Sequence, residues 1–215
     1  MLKIKHNREI PAEWREIIAG ISSCTLDEIL GVRDELTFTD KAGNERTAVV
    51  AKAGKTGALL ILKDVVNEAP IKKPLDGKLL NWRDCDLRGR LNSEYLAALP
   101  DELAALITPR TITQVIGGET IVTEDKLWLP SATELFGKDG WYAECDGPDE
   151  EQLPAFVTER DRVKCLGDET WWYWTRSPLS SSTTYWCSVY SNGNATSSNA
   201  TVAGGVAFGF KIGEI

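Results

Sequence analysis

Hydroxyl, amide and phenol side chains crowd one uncharged stretch of this sequence, and their chemistry is recognition through hydrogen bonds. No residue from 177 to 210 is charged, and Ser, Thr, Asn or Tyr fill 16 of the 22 positions from 180 to 201, which we call the polar tract. Tyr offers rigid amphipathic contact area, whereas Ser and Asn offer adaptable donors and acceptors. The absence of charge suits a surface that loses water on binding, because unpaired buried charge is costly.

The same composition fits two structures that bind nothing. One is a polar low-complexity linker, although the aromatic runs on both sides of the polar tract predict that the chain returns to the core. The other is a solvated antiparallel meander, because Thr and Tyr favour strands and Asn192-Gly193 is a turn signal. Both alternatives stay open beside the recognition surface.

Thiol and imidazole groups are too few and too scattered to predict an active centre. His6 is the single histidine, which leaves no His-based triad, Cys–His dyad or multi-histidine metal centre. The cysteines never form a C-x-x-C pair, and we expect them to be reduced and mostly buried. They are Cys24, Cys85, Cys145, Cys165 and Cys187. Cys187, between Trp186 and Ser188, is expected to be a small core residue.

Carboxylates cluster just before the last third of the chain. Their oxygens are the ligands that Ca²⁺ takes, but their spacing is irregular and a charge run is more often a solvated face. The residues are Glu144, Asp146, Asp149, Glu150 and Glu151. We therefore predict no metal site and leave calcium at residues 144–151 as an open alternative.

Charge and hydropathy exclude several partners. The formal net charge of -8 argues against nucleic acid, because phosphate contacts need clustered Lys and Arg. No apolar run approaches the roughly 20 residues that span a bilayer, so no membrane insertion is expected. The first residues lack the apolar region of a signal peptide. We therefore expect synthesis in the cytoplasm, with exposure outside only through particle assembly or lysis.

Helical periodicity predicts three helices. The first covers residues 11–21, with Pro11 in its first turn and apolar residues on one face. Those residues are Trp14, Ile17, Ile18 and Ile21. The second covers residues 84–95, and the third begins at Pro100 and ends before Pro109. Ser131 and Glu134 have the spacing of a capping box that opens a further short helix.

Strands are predicted wherever apolar runs alternate or are bounded by turn residues. The Gly117-Gly118 pair between two such runs is a strong hairpin signal. The predicted strands cover residues 36–39, 47–50, 58–62, 113–116, 120–123, 127–129, 171–176 and 205–212. Residues 137–168 are expected to form long irregular loops. The sum is an α+β fold of mostly antiparallel strands with two or three helices.

Aromatic residues and one arginine immediately precede the polar tract. Strand alternation places Trp172 and Trp174 on one face, and we expect them to pack in the core rather than line a binding slot. Arg176 is expected to anchor a loop through carboxylate or carbonyl contacts.

Four motifs, together with a fifth segment near the start of the chain, resemble bacterial and phage proteins of the C-type lectin fold. WWYWTRSP at 171–178 precedes the polar tract and GGVAFGF at 204–210 follows it. Upstream, DCDLRGRLN at 84–92 and EDKLWLPSATELFG at 124–137 are similar to segments of the same proteins. WREII at 14–18 is similar to a leader common in gut-bacterial members, so the resemblance covers nearly the whole chain.

The resemblance implies a helical segment at 1–30 and a C-type lectin-like ligand-binding domain at 31–215, with a variable region at about 179–201. Members of this fold include the variable proteins of diversity-generating retroelements, in which template adenines are randomised near the 3′ end of the gene. The resemblance implies a non-enzymatic receptor-binding protein of a phage, prophage or gut bacterium. The implied ligand is a cell-surface protein or glycan, with no cofactor. Residues 1–30 would dock a phage or display partner.

The resemblance also implies which side chains of the variable region contact the ligand. They are Ser181, Thr183, Thr184, Tyr185, Ser188, Tyr190, Asn192, Asn194, Thr196, Ser198, Asn199 and Thr201. The interleaved Trp186, Val189 and Ala195 are expected to be framework.

Two other functions of the fold stay open. Formylglycine-generating enzymes share it, but they depend on closely spaced reactive cysteines, whereas Cys187 is alone and Cys165 lies far upstream. A structural phage component would use the polar tract as a subunit contact. The Glu-Pro-Asn and Trp-Asn-Asp calcium motifs of animal C-type lectins are absent from the sequence.

Overall fold

The computed structural model of this chain describes residues 3–5 and 14–215, so His6 and Pro11 lie outside the described residues. The strands are β1 Lys3–Lys5, β2 Glu35–Thr39, β3 Glu45–Ala53, β4 Gly57–Leu62, β5 Asn67–Ala69, β6 Ile107–Thr108, β7 Arg110–Ile116, β8 Glu119–Asp125, β9 Leu127–Trp128, β10 Lys164–Leu166, β11 Glu169–Trp171, β12 Tyr173–Pro178, β13 Tyr185–Val189, β14 Ala195–Asn199, β15 Gly204–Val206 and β16 Gly209–Gly213. The α-helices are α1 Trp14–Ser23, α2 Leu26–Ile29, α3 Asp86–Arg90, α4 Leu96–Ala98, α5 Asp101–Leu106 and α6 Ala132–Phe136. The π-helical segment Leu91–Tyr95 joins α3 to α4, and Glu159–Arg162 is a 3₁₀ helix.

A seven-stranded sheet forms the larger part of the core. Its order is β1-β2-β3-β4-β16-β6, and β9 also pairs with β16. All six residues of β4 are buried, as the continuous apolar run predicts for a strand covered on both faces. β16 pairs antiparallel with β4, Gly209 opposite Ile61 and Ile212 opposite Ala58. The centre of this sheet therefore joins segments about 150 residues apart in the sequence.

A five-stranded sheet carries the polar tract. Its order is β14-β13-β12-β15-β5. The β12–β15 pair is parallel, and the other three pairs are antiparallel. The fold is thus α+β with mostly antiparallel strands, as the sequence predicts.

The predicted Gly-Gly hairpin is confirmed as the separate two-stranded sheet β7–β8. Gly117 and Gly118 have φ of 58° and 83°, the left-handed conformation that both central residues of a type I′ turn need. Ile112, Gln114 and Ile116 alternate inward along β7. A second two-stranded sheet, β10–β11, begins inside the region 137–168 that was expected to be irregular and ends just beyond it.

The first helix packs one face against the same core as the sheets. Ile17 and Gly20 are buried, but Ile18 is 47% exposed, so the prediction that Ile18 faces inward was wrong. The buried stripe is narrow, and a residue 100° around the helix from Ile17 falls outside it. In α2, Leu26 joins Ile17 in the main core. No helix within the described residues is long and apolar enough to cross a membrane.

The predicted helix at 84–95 is present as α3, the π-helical segment and α4, with its apolar residues inward. Leu87 and Leu91 are fully buried. Asn92, in the π-helical segment, accepts hydrogen bonds from Lys126 N at 2.8 Å and Leu127 N at 3.1 Å. This segment therefore ties the helix to the approach to β9.

The predicted strand at 205–212 is two strands in two sheets. β15 pairs with β5 and β12, whereas β16 lies at the centre of the larger sheet. The chain passes from the smaller to the larger sheet at Ala207 and Phe208. Both residues are buried, so the apolar pattern continues through this crossing and does not reveal it. The strand predicted at 171–176 begins instead at Tyr173, because Trp171 ends β11.

Candidate ligand-binding face

The polar tract is an ordered hairpin at one edge of the five-stranded sheet. β13 lies between β12 and β14, and β14 is the edge strand. A turn over residues 190–194 joins β13 to β14, as Asn192-Gly193 predicts, with Tyr190 N donating to Asn194 O at 2.8 Å. A short loop over residues 179–184 leads into β13. The linker alternative is therefore wrong for this segment.

The predicted contact residues differ in exposure. Ser181, Tyr185, Tyr190, Asn192 and Asn194 are exposed. Thr183, Thr184, Thr196, Ser198, Asn199 and Thr201 are half-buried. Tyr185 and Tyr190 have 49% and 55% of their surface accessible, which leaves both phenol rings available to a partner. Ser181 and Tyr185 lie at the loop end of the hairpin, and Tyr190, Asn192 and Asn194 lie at its turn end; we call these five exposed residues together the candidate ligand-binding face.

Ser188 does not belong to this face. It is fully buried, and the prediction that it contacts the ligand is contradicted by its position. Four of the five residues of β13 are buried, and successive residues of a strand point to opposite faces, so both faces of β13 are covered. The Ser188 hydroxyl has no hydrogen-bond partner in the described part of the chain. The expected framework residues Trp186 and Val189 are fully buried.

The half-buried residues of β14 lie on two faces of the sheet. Thr196 and Ser198 stand opposite Ser188 and Trp186, whereas Asn199 stands opposite Tyr185. Directly opposed residues of an antiparallel pair share a face, so Thr196 and Ser198 point away from the face of Tyr185. The twelve predicted residues therefore form no single flat surface.

The turn end of the hairpin is fixed by the 3₁₀ helix. The Nε of Arg162 donates to Gly193 O at 2.9 Å, and one of its terminal nitrogens donates to Leu135 O at 3.3 Å. Gly193 has φ of 89°, and a Cβ there would overlap the carbonyl oxygen of Glu159. The turn that displays Tyr190, Asn192 and Asn194 is thus seated on a neighbouring element.

The loop end of the hairpin is fixed by backbone hydrogen bonds. Leu80 N donates to Ser182 O at 3.2 Å, and Ala200 N donates to Thr184 O at 2.8 Å. The Ser182 hydroxyl accepts from Tyr185 N at 2.7 Å. Asn199 Oδ1 accepts from both the N–H and the hydroxyl of Thr201, at 3.0 and 2.8 Å. Asn199 and Thr201 therefore use some of their hydrogen-bonding groups within the turn itself.

Of the two tryptophans predicted to pack in the core, Trp174 lies within it, whereas Trp172 is only partly buried and packs against it. Trp174 is fully buried and its indole N–H donates to Ala69 O at 2.9 Å. Trp172 and Trp174 share a face and pack edge to face with ring centroids 5.0 Å apart. Trp186 donates to Thr175 O at 2.8 Å. Large rings with satisfied N–H groups make a stiff floor for the hairpin.

Arg176 anchors three segments, which confirms the expected structural role. Its terminal nitrogens donate to Leu129 O at 2.9 Å and to Glu134 at 2.6 Å, and reach Glu150 at 2.5 Å. Glu134 also faces Arg110 and completes the predicted capping box with Ser131. This ion network, with Arg176 and Glu134 fully buried at its centre, fixes β12, from which the chain enters the polar tract.

The network changes the acidity of its carboxyl groups in opposite directions. Burial alone would raise the pKa of Glu134, but the Arg110 and Arg176 guanidinium groups lower it to about 2. Burial, together with the neighbouring Glu150 carboxylate, raises the pKa of Asp146 to about 6. Glu134 thus stays ionised wherever the protein is folded at ordinary pH.

Gln114 is a positioning residue that the sequence analysis missed. Its side chain accepts from Trp82 N at 2.8 Å and donates to Arg176 O at 3.0 Å, so it links the β7–β8 hairpin to β12. A signal was available, because Gln114 lies on the inward face between Ile112 and Ile116. A buried amide in such a pattern needs partners from elsewhere in the fold.

The geometry gives little support to the two alternatives of cysteine-based catalysis and calcium binding. All five cysteines are free, and burial raises the pKa of the Cys187 thiol to about 12, which disfavours the nucleophilic thiolate. In the acidic run, Asp146 accepts from Thr133 and Ser177, and Glu150 pairs with Arg176. Within the described residues, no three His, Cys, Asp or Glu side chains are grouped to hold a metal ion.

One comparison with known proteins identifies a family. Residues 56–211 match the family described as a domain of unknown function, DUF6273, which is well over half of the 215 residues. The chain therefore belongs to this family. Among curated proteins and solved structures, none matches the chain significantly.

Proposed function

We propose that this member of the DUF6273 family is a non-enzymatic recognition protein, whose face of Ser181, Tyr185, Tyr190, Asn192 and Asn194 binds a cell-surface protein or glycan. One observation carries the proposal: an uncharged set of hydroxyl, amide and phenol groups is exposed on a hairpin that is held at both ends. A rigid hairpin loses little conformational entropy on binding, which favours affinity.

We further propose that the fold is C-type lectin-like and that the polar tract is the variable region of a diversity-generating retroelement in a phage, prophage or gut bacterium. The supporting features are the four sequence motifs and the α+β sheet order in which β4 pairs with β16. A frame built on buried Trp174, Arg176 and Gln114 can keep its shape while the exposed side chains vary. Display on a phage particle, with residues 1–30 as the docking segment, belongs to the same proposal; residues 1–2 and 6–13 of that segment lie outside the described residues.

The binding proposal is tested with a glycan array and a panel of bacterial cells. We expect saturable binding by the purified protein, and at least about tenfold weaker binding after Tyr185→Ala together with Tyr190→Ala, because exposed aromatic residues dominate recognition energy. Val122→Ala on β8 is the matched control, since Val122 is 54% exposed and lies outside the polar tract. Near-UV circular dichroism confirms that each variant is folded.

Two outcomes would overturn the binding proposal. Either no glycan and no cell binds, or the double tyrosine variant binds as well as the unchanged protein. For the retroelement, the coding DNA is read for a near-identical repeat and a neighbouring reverse transcriptase. Their absence, or substitutions that fall as often on buried Trp186 and Ser188 as on exposed positions, would contradict that assignment.

A subunit contact is the second candidate, and one observation favours it. β14 pairs only with β13 among the described strands, and its five residues carry no charge and no proline. Such an unprotected edge can add a strand from another chain. Sedimentation that shows a stable oligomer, disrupted by Ser197→Lys in β14, would favour this function over recognition of a foreign ligand.

A further inference from the structure

A cavity remote in sequence from the polar tract has its own binding chemistry. It encloses about 260 Å³, below the roughly 300–1,000 Å³ of pockets for drug-sized ligands. It lies between the β2–β3 turn, the segment before β5, the end of the π-helical segment and the chain before β16. Its lining includes Asp40, Arg46, Asn67, Arg90, Tyr95 and Phe208.

The floor of the cavity is apolar and partly aromatic. Val66, Leu99, Tyr95 and Phe208 contribute to it. The Tyr95 and Phe208 rings meet edge to face with centroids 6.0 Å apart. The Tyr95 hydroxyl donates to Asn67 Oδ1 at 2.8 Å, which fixes the ring. A planar apolar body can pack against this floor.

Two guanidinium groups on the wall retain free donors. Arg46 uses its Nε for Asp40 and Arg90 uses its Nε for Glu94, each at 3.1 Å. Within the described residues, the terminal nitrogens of both arginines have no hydrogen-bond partner, and both side chains are partly accessible. Asn67 adds an amide N–H₂ beside the Tyr95 hydroxyl.

Two carboxylates line the same cavity, Asp40 and Glu94, and each is paired with one of the two arginines. Asp40 accepts from Ala42 N, Asn44 N and the Asn44 amide as well as from Arg46. Asp40 therefore offers little to a cationic ligand, and Glu94 keeps one carboxylate oxygen without a partner among the described residues. The terminal nitrogens of two arginines outnumber that single oxygen, and guanidinium donors suit a carboxylate.

The local backbone is unusual at the same place. Glu94 and Tyr95 are the last residues of the π-helical segment Leu91–Tyr95. Short π-helical segments are uncommon and occur often at functional sites. Here the wide turn delivers Tyr95 to the floor and sets Arg90 over its ring, with the guanidinium carbon 5.7 Å from the ring centroid.

We propose that this cavity binds a small carboxylate with an aromatic body, its ring against Tyr95, Leu99 and Phe208 and its carboxylate between Arg46 and Arg90. The proposal is independent of the function of the polar tract. No covalent step is involved.

The test compares three isosteric probes, 3-phenylpropionate, 3-phenylpropanol and 3-phenylpropylamine, by ligand-observed NMR and titration calorimetry on the full chain. We expect the acid to bind at least about tenfold more tightly than the alcohol, and the amine not to bind. Arg46→Gln and Arg90→Gln should each weaken binding of the acid about tenfold. Arg83→Gln, which changes a half-exposed arginine outside the cavity, should leave it unchanged.

Equal affinity for the three probes, no binding of any probe, or full affinity of both arginine variants would each overturn the proposal. Val66→Trp, which fills the cavity from a different segment, provides a second test and should abolish binding of the acid. Tyr185→Ala with Tyr190→Ala should retain it, so failure here is distinguishable from failure of the recognition face.

Discussion

Single buried polar side chains decide how the polar tract is held. Arg176 and Gln114 join separate segments, and Thr175 donates to Cys187 O at 2.9 Å between β12 and β13. Ser188 lies one residue farther along β13, equally buried, but its hydroxyl is unpartnered within the described residues. Strand alternation could predict that side chains face two ways, but it could not predict that both faces of β13 are covered.

Removal of the Ser188 hydroxyl and removal of the Thr175 hydroxyl should therefore change the stability of the protein differently. We expect Ser188→Ala to leave the free energy of unfolding unchanged or to raise it by up to about 1 kcal/mol, because it removes a buried polar group that makes no hydrogen bond. Thr175→Val should lower it by about 1–3 kcal/mol, because Cys187 O loses its donor. Urea unfolding followed by fluorescence measures both. Equal destabilisation by the two substitutions would contradict the assignment of Ser188 as unpartnered.

Turns are the elements that the sequence predicts best here. Gly117-Gly118, Asn192-Gly193 and the Ser131–Glu134 capping box each have a local physical cause, and each is present. Elements whose ends depend on distant partners were predicted less well. β15 and β16 look like one apolar strand, and only the pairing of β16 with β4 separates them.

The turn at Gly193 should be less tolerant than the turn at Gly118. Both glycines have positive φ, 89° and 83°, so a Cβ strains both by about 1 kcal/mol. A Cβ at Gly118 meets nothing within 4 Å, whereas at Gly193 it overlaps Glu159 O. We expect Gly193→Ala to lower the free energy of unfolding by about 2 kcal/mol more than Gly118→Ala.

Chemical denaturation compares these two variants directly, and hydrogen exchange of Tyr190 N and Gly193 N reports on the turn itself. Faster exchange only in Gly193→Ala is the expected result. Similar stability and exchange in both variants would mean that the 3₁₀ helix does not hold the turn.

At the scale of the whole molecule, one buried ion network connects the sheets with the long irregular region. Glu134 lies in α6, Glu150 belongs to the acidic run and Arg176 to β12. The sequence predicted the anchoring role of Arg176 but not its partners. Glu134 and Glu150 lie 42 and 26 positions before Arg176 in the sequence. They contact Arg176 only after the intervening loops have folded, so no local sequence pattern predicts these contacts.

The network should make the protein sensitive to acid through Glu134. The pKa of Glu134 falls from 4.5 to about 2 on folding, so the unfolded chain binds the proton first as pH drops. This contribution, on the order of 3 kcal/mol, is complete above about pH 4.5 and is lost as pH falls towards 2. Relative to the unchanged protein, Glu134→Gln should be less stable at neutral pH. The difference in the free energy of unfolding between the two proteins should narrow as the pH falls from about 4.5 towards 2.

Urea titrations at a series of pH values measure this difference, with exposed Glu102→Gln as the control for the change in net charge. A difference that stays constant from neutral pH to the acid limit would show that Arg110 and Arg176 do not stabilise the ionised form of Glu134.

The position of β16 near the end of the chain determines which mutations in the polar tract still allow the protein to fold. A nonsense or frameshift change inside the polar tract removes the strand that pairs with β4, β6 and β9 at the centre of the larger sheet. An in-frame substitution at Tyr190 or Asn192 leaves that strand intact. A truncated product therefore lacks the central strand of the larger sheet and is open to proteolysis, whereas a full-length variant keeps that strand.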